Sequence, residues 1–274
     1  MSYPLLHPSQ SDPARHSQCA LAIMAKAPRS GHVKTRLCPP LTFQQAAALN
    51  ICFLRDTTEN LSQVASECGA AGLVCYTPVG DEAMFDDLLP DGFVLIPQRC
   101  DGFGERLLFA AQDILACGYG SVCLIDSDSP TVPALALAQA VAELNRPGDR
   151  IVLGGSHDGG YYLIGLKHAH PEPFQNIAWS TPSVHEQTIK AAAAAGIELI
   201  ELPLWYDVDD AATLDILSAE LLAGIRPPFA SSNGYAADHS RAFLRDLSVA
   251  GAKPCPRVLP CTGRLRAPGR PTQH

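Results

Sequence analysis

From Ala20 onward, short apolar runs and helix-like stretches take turns along the chain, and few architectures accommodate that rhythm. "ALAIM" from Ala20, "GLVCY" from Gly72, "FVLI" from Phe93 and "SVCLI" from Ser121 each read as a buried strand. Between and after them the spacing predicts helices over about residues 42–68, 81–89, 104–117 and 133–144. Strands alternating with helices imply a mainly parallel sheet covered on both faces. The order then changes: "RIVLGG" from Arg150 and "GYYLIGL" from Gly160 are separated only by the turn "SHDG", so the sheet is mixed. A helix over 183–195, a strand "IELIELP" from Ile197 and a helix over 211–222 complete the pattern.

The expected fold class is therefore α/β, a single three-layer α/β/α domain over residues 19–223 with a mainly parallel mixed sheet. Residues 1–18 are expected to be a flexible segment. Residues 224–274 form a C-terminal extension rich in proline, glycine and small polar residues, with one helix at about 239–247, "HSRAFLRDL", followed by a disordered tail.

Composition removes several function classes. A formal net charge of −8 argues against a nucleic-acid partner, which requires a concentrated basic surface. No apolar stretch suits a signal peptide or a membrane span, so the chain reads as cytoplasmic. The 10 cysteines lie singly, without zinc spacings, and read as reduced core residues.

In a doubly wound sheet the ligand crevice lies beyond the carboxyl ends of the strands, which directs attention to four loops. The first, "AKAPRSGHVKTRL", gathers Lys26, Arg29, Lys34 and Arg36 around Gly31 in an otherwise acidic chain, a pattern able to neutralise phosphates. It carries neither a P-loop nor a G-x-G-x-x-G spacing, and a solvated basic loop is its plainer reading. The second, "LIDSDSPTV" from Leu124, places Asp126 and Asp128 at alternate positions just past a buried strand, where both can face one hard cation. A turn capping the next helix, through Ser129 or Thr131, is the alternative. The third, "SHDGG", offers Asp158 as a general base or a hydrogen-bond acceptor for an incoming hydroxyl, although Asp-Gly is also common hairpin chemistry. The fourth, "WYDVDDAATL", holds Asp207, Asp209 and Asp210; one of the last two can cap the final helix, and Asp209 can face Asp128 across the strand ends. His157, His168, His170 and His185 receive no chemistry, and Trp179 and Trp205 read as packing residues.

Taken in order, "MAKAPRSGHVKTRL", "DGFGERL", "DSDSPTVP", "DGGYYLIGL", "WSTPSV" and "WYDVDD" resemble a bacterial transferase family with the glycosyltransferase A-type, or nucleotide-diphosphosugar transferase, fold. Its members are described as glycosyltransferases encoded beside radical-SAM and selenodomain proteins, and they are similar to phospholactate guanylyltransferase and molybdenum-cofactor nucleotidyltransferases. The resemblance covers about residues 19–247. It implies that Lys26, Lys34 and Arg36 contact the nucleotide's phosphates and that Gly104 and Glu105 lie near the nucleoside. It also implies that Asp128 and Asp209 are the metal-binding acids. The sequence departs from the family at Asp126, commonly a small residue, and at "DVDDAATL", which replaces a Thr-Pro-Glu-Asp pattern.

The expectation is a Mg²⁺- or Mn²⁺-dependent transferase that moves a sugar from a nucleotide diphosphate sugar to a small-molecule acceptor. Asp128, Asp209 and Asp126 are the candidate metal ligands. Lys26, Arg29, Gly31, Lys34, Arg36, Gly104, Glu105 and Ser129 are the candidate nucleotide contacts, with Lys34, Arg36 and Asp158 as the catalytic set. Two alternatives are a nucleotidyltransferase joining an NTP to a phosphorylated small molecule, and a nucleotide-binding regulator without turnover. The sequence leaves the oligomeric state, a homodimer included, open.

Overall fold

A computed structural model describes residues 3–249, and the tail expected at the C-terminus lies outside them. Seven strands make one sheet: β1 (Cys19–Lys26), β2 (Ala71–Thr77), β3 (Val94–Pro97), β4 (Ser121–Ile125), β5 (Arg150–Ser156), β6 (Tyr161–Leu166) and β7 (Glu198–Trp205). Their order is β3-β2-β1-β4-β6-β5-β7. Only β6 runs against its neighbours; every other adjacent pair is parallel. Among the described residues, six helices cover the sheet: α1 (Phe43–Cys68), α2 (Phe103–Ala116), α3 (Ala134–Asn145), α4 (Val184–Ala194), α5 (Ala211–Ala223) and α6 (Asp238–Val249). Among the described residues, no helix is long and apolar enough to cross a membrane.

Why the strand runs are so apolar is visible in β1, where side chains alternate between two cores. Leu21, Ile23 and Ala25 face α1, α3, α5 and α6, while Ala20 and Ala22 face α2 and α4. The longest helix, α1, starts at a capping box between Thr42 and Gln45 and stops at Gly69, whose φ of 67° suits glycine. The helix expected over 81–89 is only a 3-10 turn, Glu82–Phe85. The carboxylate of Asp81 turns to Arg29 instead of capping it, and Asp87 at φ 59° breaks the helical path.

Residues 3–18, where the sequence suggests a flexible segment, make specific contacts along the sheet. Leu5 bridges Leu95 in parallel register, Leu6 is buried, and the Tyr3 hydroxyl donates to the Leu89 carbonyl at 2.6 Å. Further on, Asp12 backbone atoms lie so close to Gly118 that a Cβ there would meet the Asp12 oxygen at 2.3 Å. The described cysteines are free thiols, several of them buried in the two cores.

α6 packs on α1 through one buried carboxylate. Asp56 accepts from the backbone N–H of His239 at 2.9 Å and of Ser240 at 2.8 Å, and from the Ser240 hydroxyl at 2.5 Å. Asp56→Ala is therefore expected to lower stability by about 2–3 kcal/mol, read as a shift in urea midpoint, because it removes an N-terminal cap and strands a buried hydroxyl. Burial holds the Asp56 carboxyl above its ordinary value of 3.8, against the bonds from Ser240 and His239. A raised acid binds its proton more tightly folded than unfolded, so this group adds stability as pH falls through the range just above 3.8. Asp56→Asn should flatten that rise.

Candidate active site

The carboxyl ends of β1, β4, β5 and β7, together with the start of antiparallel β6, share one rim. A cavity of about 680 Å³ opens there, walled by residues from all five strands' loops and from the start of α2. The connection between β4 and β7 is direct: the Val208 N–H donates to the Asp128 carbonyl at 2.9 Å, which locks two remote segments side by side. Asp210 caps α5 in a capping box with Thr213, leaving Asp209 free for other partners.

At the centre lies Lys34. Its ammonium donates to Asp128 Oδ1 at 2.8 Å, Asp209 Oδ1 at 3.0 Å and the Val208 carbonyl at 2.8 Å, with only 5% of the side chain exposed. The Phe53 ring lies 5.7 Å beneath it. Lys34 adopts φ 49°, a left-handed conformation that costs a non-glycine residue on the order of 1–2 kcal/mol. The three oxygen contacts hold it there. Burial works against its charge, but the two carboxylates outweigh burial and raise its pKa above the usual 10.5. Arg36 approaches Asp209 from the exposed side at 3.6 Å.

Five aspartates line this cavity, Asp126, Asp128, Asp158, Asp207 and Asp209, against the cations Lys26, Lys34 and Arg36. The surplus of negative charge shows in the acids themselves. Burial, then the Asp128 and Asp207 charges, push Asp126 well above the ordinary carboxylate range, while Ser129 Oγ donates to it at 2.7 Å. Asp207 is raised to about 6 by burial, then by Asp158 and Asp209, and accepts from Ser156 Oγ at 2.8 Å. The donor set is all hard oxygen, and an ammonium already sits among three of them as a monovalent stand-in. Asp128, Asp209 and the Val208 carbonyl thus fit a small divalent cation such as Mg²⁺ or Mn²⁺.

Of the residues singled out in the sequence, Lys26, Lys34, Arg36, Asp126, Asp128, Asp158 and Asp209 come together on the cavity wall. Five others do not. Arg29 pairs with Asp81, and Gly31 serves the turn of the first loop at φ 76°. Gly104 lies under the Trp179 indole, so close that a Cβ would meet Nε1 at 2.7 Å, and Glu105 is exposed on the first turn of α2. Ser129 is buried behind Asp126 rather than facing the cavity. Neither Ser129 nor Thr131 caps α3, since the Thr131 hydroxyl accepts from the Trp205 indole and bonds Tyr206.

The sequence gives no site role to Asp207, Ser156, Phe103, Tyr161 or Trp179, all of which line the cavity. A period-two signal was available for Asp207: Val208 is fully buried, so 207 and 209 must share the opposite side of an extended segment. The three aromatics form an edge-to-face chain, Phe103 to Trp179 at 5.0 Å and Trp179 to Tyr161 at 6.3 Å. Among those, Trp179 reads from sequence as packing, and it does both: it covers Gly104 and walls the cavity.

The sheet order and the flanking helices define a class of protein, the three-layer α/β folds with a mainly parallel mixed sheet. A family model described as "Uncharacterized protein conserved in bacteria (DUF2064)" matches residues 60–181, a stretch that includes Asp126, Asp128, Asp158 and Trp179. A crystal structure from Desulfovibrio desulfuricans G20, of a protein provisionally assigned as a nucleotide-diphospho-sugar transferase, is 28% identical, with a TM-score of 0.70 over 84% of this chain and 95% of that one. The chain thus has the α/β fold of nucleotidyl and sugar transferases. A CMP:2-keto-3-deoxy-manno-octonic acid synthetase complexed with CTP matches more distantly, at 13% identity and a TM-score of 0.49 over 76% of this chain and 100% of that one. No curated protein matches.

Proposed function

We propose that this protein is a metal-dependent transferase that uses a nucleotide-activated donor, in the first place a nucleotide diphosphate sugar. The observation that carries this reading is the meeting of Asp128 and Asp209 on one buried ammonium, with Lys26 and Arg36 on the same wall. Carboxylates hold an ion and cations receive phosphates; few other ligands call for both in one cavity. The assignment of the 28%-identical D. desulfuricans protein supports the glycosyl version.

Asp128 and Asp209 would hold Mg²⁺ or Mn²⁺, which when bound supplies neutralisation of the leaving diphosphate. Lys26 and Arg36 bind the outer phosphate oxygens, and Lys34, released from its carboxylates, follows its charge onto the same diphosphate. Asp158 sits exposed at the β5–β6 turn, where Oδ1 accepts from the Gly160 N–H at 2.8 Å. Its second oxygen would orient an acceptor hydroxyl and take its proton as the hydroxyl oxygen bonds to the sugar carbon and the nucleoside diphosphate departs. Phe103, Trp179 and Tyr161 offer aromatic surface on the cavity wall for a sugar ring or base.

The second reading is nucleotidyl transfer, favoured by the three cations on the wall, since a triphosphate brings more charge to them. Incubation with each NTP and each UDP-, GDP- or dTDP-sugar in the presence of Mn²⁺ separates the readings. Release of nucleoside diphosphate marks glycosyl transfer, and release of inorganic diphosphate marks nucleotidyl transfer. Thermal stabilisation by nucleotide and metal with no product marks a regulator and ends the enzyme proposal.

A further inference from the structure

The rim opposite the cavity carries a second candidate ion site. There the turn before β5 meets the turn after β6. Asp149 Oδ1 is 2.9 Å from His168 Nδ1, and Asp149 Oδ2 is 2.6 Å from His170 Nε2. One ligand atom from each of the three side chains lies within 4.8 Å of the others.

The backbone around them is already fixed. The Lys167 ammonium donates to the carbonyls of Arg146 at 2.6 Å and Gly148 at 2.9 Å. From the other side, the buried Arg150 guanidinium donates to the carbonyls of Glu143 at 2.7 Å and Pro147 at 2.9 Å. Four carbonyls are thereby tied down, and Asp149 is presented to the two imidazoles without further ordering of the chain. A similar trio, Asp56, Glu59 and His239, is unlike it, because Asp56 is already committed to the start of α6.

The geometry points to a binding site for one transition-metal ion, Zn²⁺ or a neighbour in its series, ligated by Asp149, His168 and His170 with water in the fourth position. Two imidazole nitrogens and one carboxylate oxygen suit a borderline metal, whereas the all-oxygen cavity on the far rim suits Mg²⁺ or Mn²⁺. Tetrahedral coordination at ~2.0–2.1 Å sets ligand atoms about 3.3 Å apart, and one ligand atom from each of the three side chains already lies within 4.8 Å of the others. The ion would staple the entry of β5 to the exit of β6, two strands already paired antiparallel. The site stands independently of the transferase reading, since none of its residues lines the cavity.

The test is isothermal titration of ZnCl₂ into the tag-free full chain in excess MgCl₂, which occupies hard-oxygen sites. Wild type should bind one equivalent that is retained in Asp128→Ala and weakened at least about 10-fold in both His168→Ala and His170→Ala. Asp149→Asn, which keeps the side chain's shape, should weaken it as well, and circular dichroism checks that each variant is folded. Cu²⁺ bound to wild type should show nitrogen coupling from two imidazoles in its electron paramagnetic resonance spectrum. Absence of a Zn²⁺ equivalent in wild type overturns the site. So does affinity unchanged within twofold in the histidine variants, or a loss seen only in Asp128→Ala.

Discussion

Asp128→Ala is expected to keep the fold and to weaken Mn²⁺-dependent nucleotide binding by about 100-fold or more, since losing even an outer-shell partner of a metal ligand costs about 10–100-fold. The fold survives because the Asp128 carbonyl still accepts from Val208, and Lys34 keeps Asp209 and the Val208 carbonyl as partners once the Asp128 carboxylate is gone. What disappears is one of two acids that meet at a single point. Titration with a nucleotide diphosphate in Mn²⁺ and in EDTA measures the effect. Wild type should bind far more tightly with the ion than without it, and the variant should bind equally weakly in both. A variant that retains the metal-dependent difference would remove Asp128 from the site.

Lys34→Met produces the second large effect, and it splits in sign. Methionine fills the volume over Phe53 but leaves Asp128 and Asp209 facing each other without the ammonium between them, with only the exposed Arg36 beside Asp209. Because both acids are partly solvated, the resulting loss of stability in metal-free buffer should be on the order of 1–2 kcal/mol rather than the 3–5 kcal/mol of a fully buried broken pair. Mn²⁺ no longer has to displace an ammonium, so the variant should bind the bare ion more tightly than wild type and be stabilised by it to a greater degree. Nucleotide binding should move the opposite way, since a phosphate contact is gone. Thermal melts with Mn²⁺ alone and with a nucleoside diphosphate separate the two effects. Equal Mn²⁺ stabilisation of both proteins would show that the lysine and the ion do not compete. The raised pKa gives one further sign: stability from Lys34 is fully present below pH 10.5 and is lost as pH rises through its higher folded value, a loss the variant should lack.

The strands and most helices were legible because their signal is local. α1 is expected over 42–68 and runs Phe43–Cys68, and α2 is expected over 104–117 and runs Phe103–Ala116. The rim was legible too, because the carboxyl ends of parallel strands must lie together whatever their order. Less legible was anything decided by a partner remote in sequence. Asp81 was free to start a helix until Arg29 took it, and Leu5 gave no sign of a strand until Leu95 lay beside it. The same cause explains the candidate site. Lys34, Asp128 and Asp209 could be chosen as end-of-strand residues, but nothing local says that the lysine sits between the other two. "DGFGERL" drew attention to Gly104 and Glu105, yet the side chain on the cavity wall is Phe103, because a helix start turns neighbouring residues to different sides.

The contact between Leu5 and Leu95 has a practical side. β3 is the last strand on its flank, and Leu6 N–H to Leu95 carbonyl at 2.8 Å and Leu95 N–H to Pro4 carbonyl at 2.9 Å close bonds that would otherwise stay open. On the opposite flank, β7 carries Glu198 and Glu201, whose charges discourage pairing. Trimming the first six residues would thus unmask a bare apolar ribbon with nothing to repel a second copy, and aggregation, not loss of chemistry, is what such a truncation would deliver.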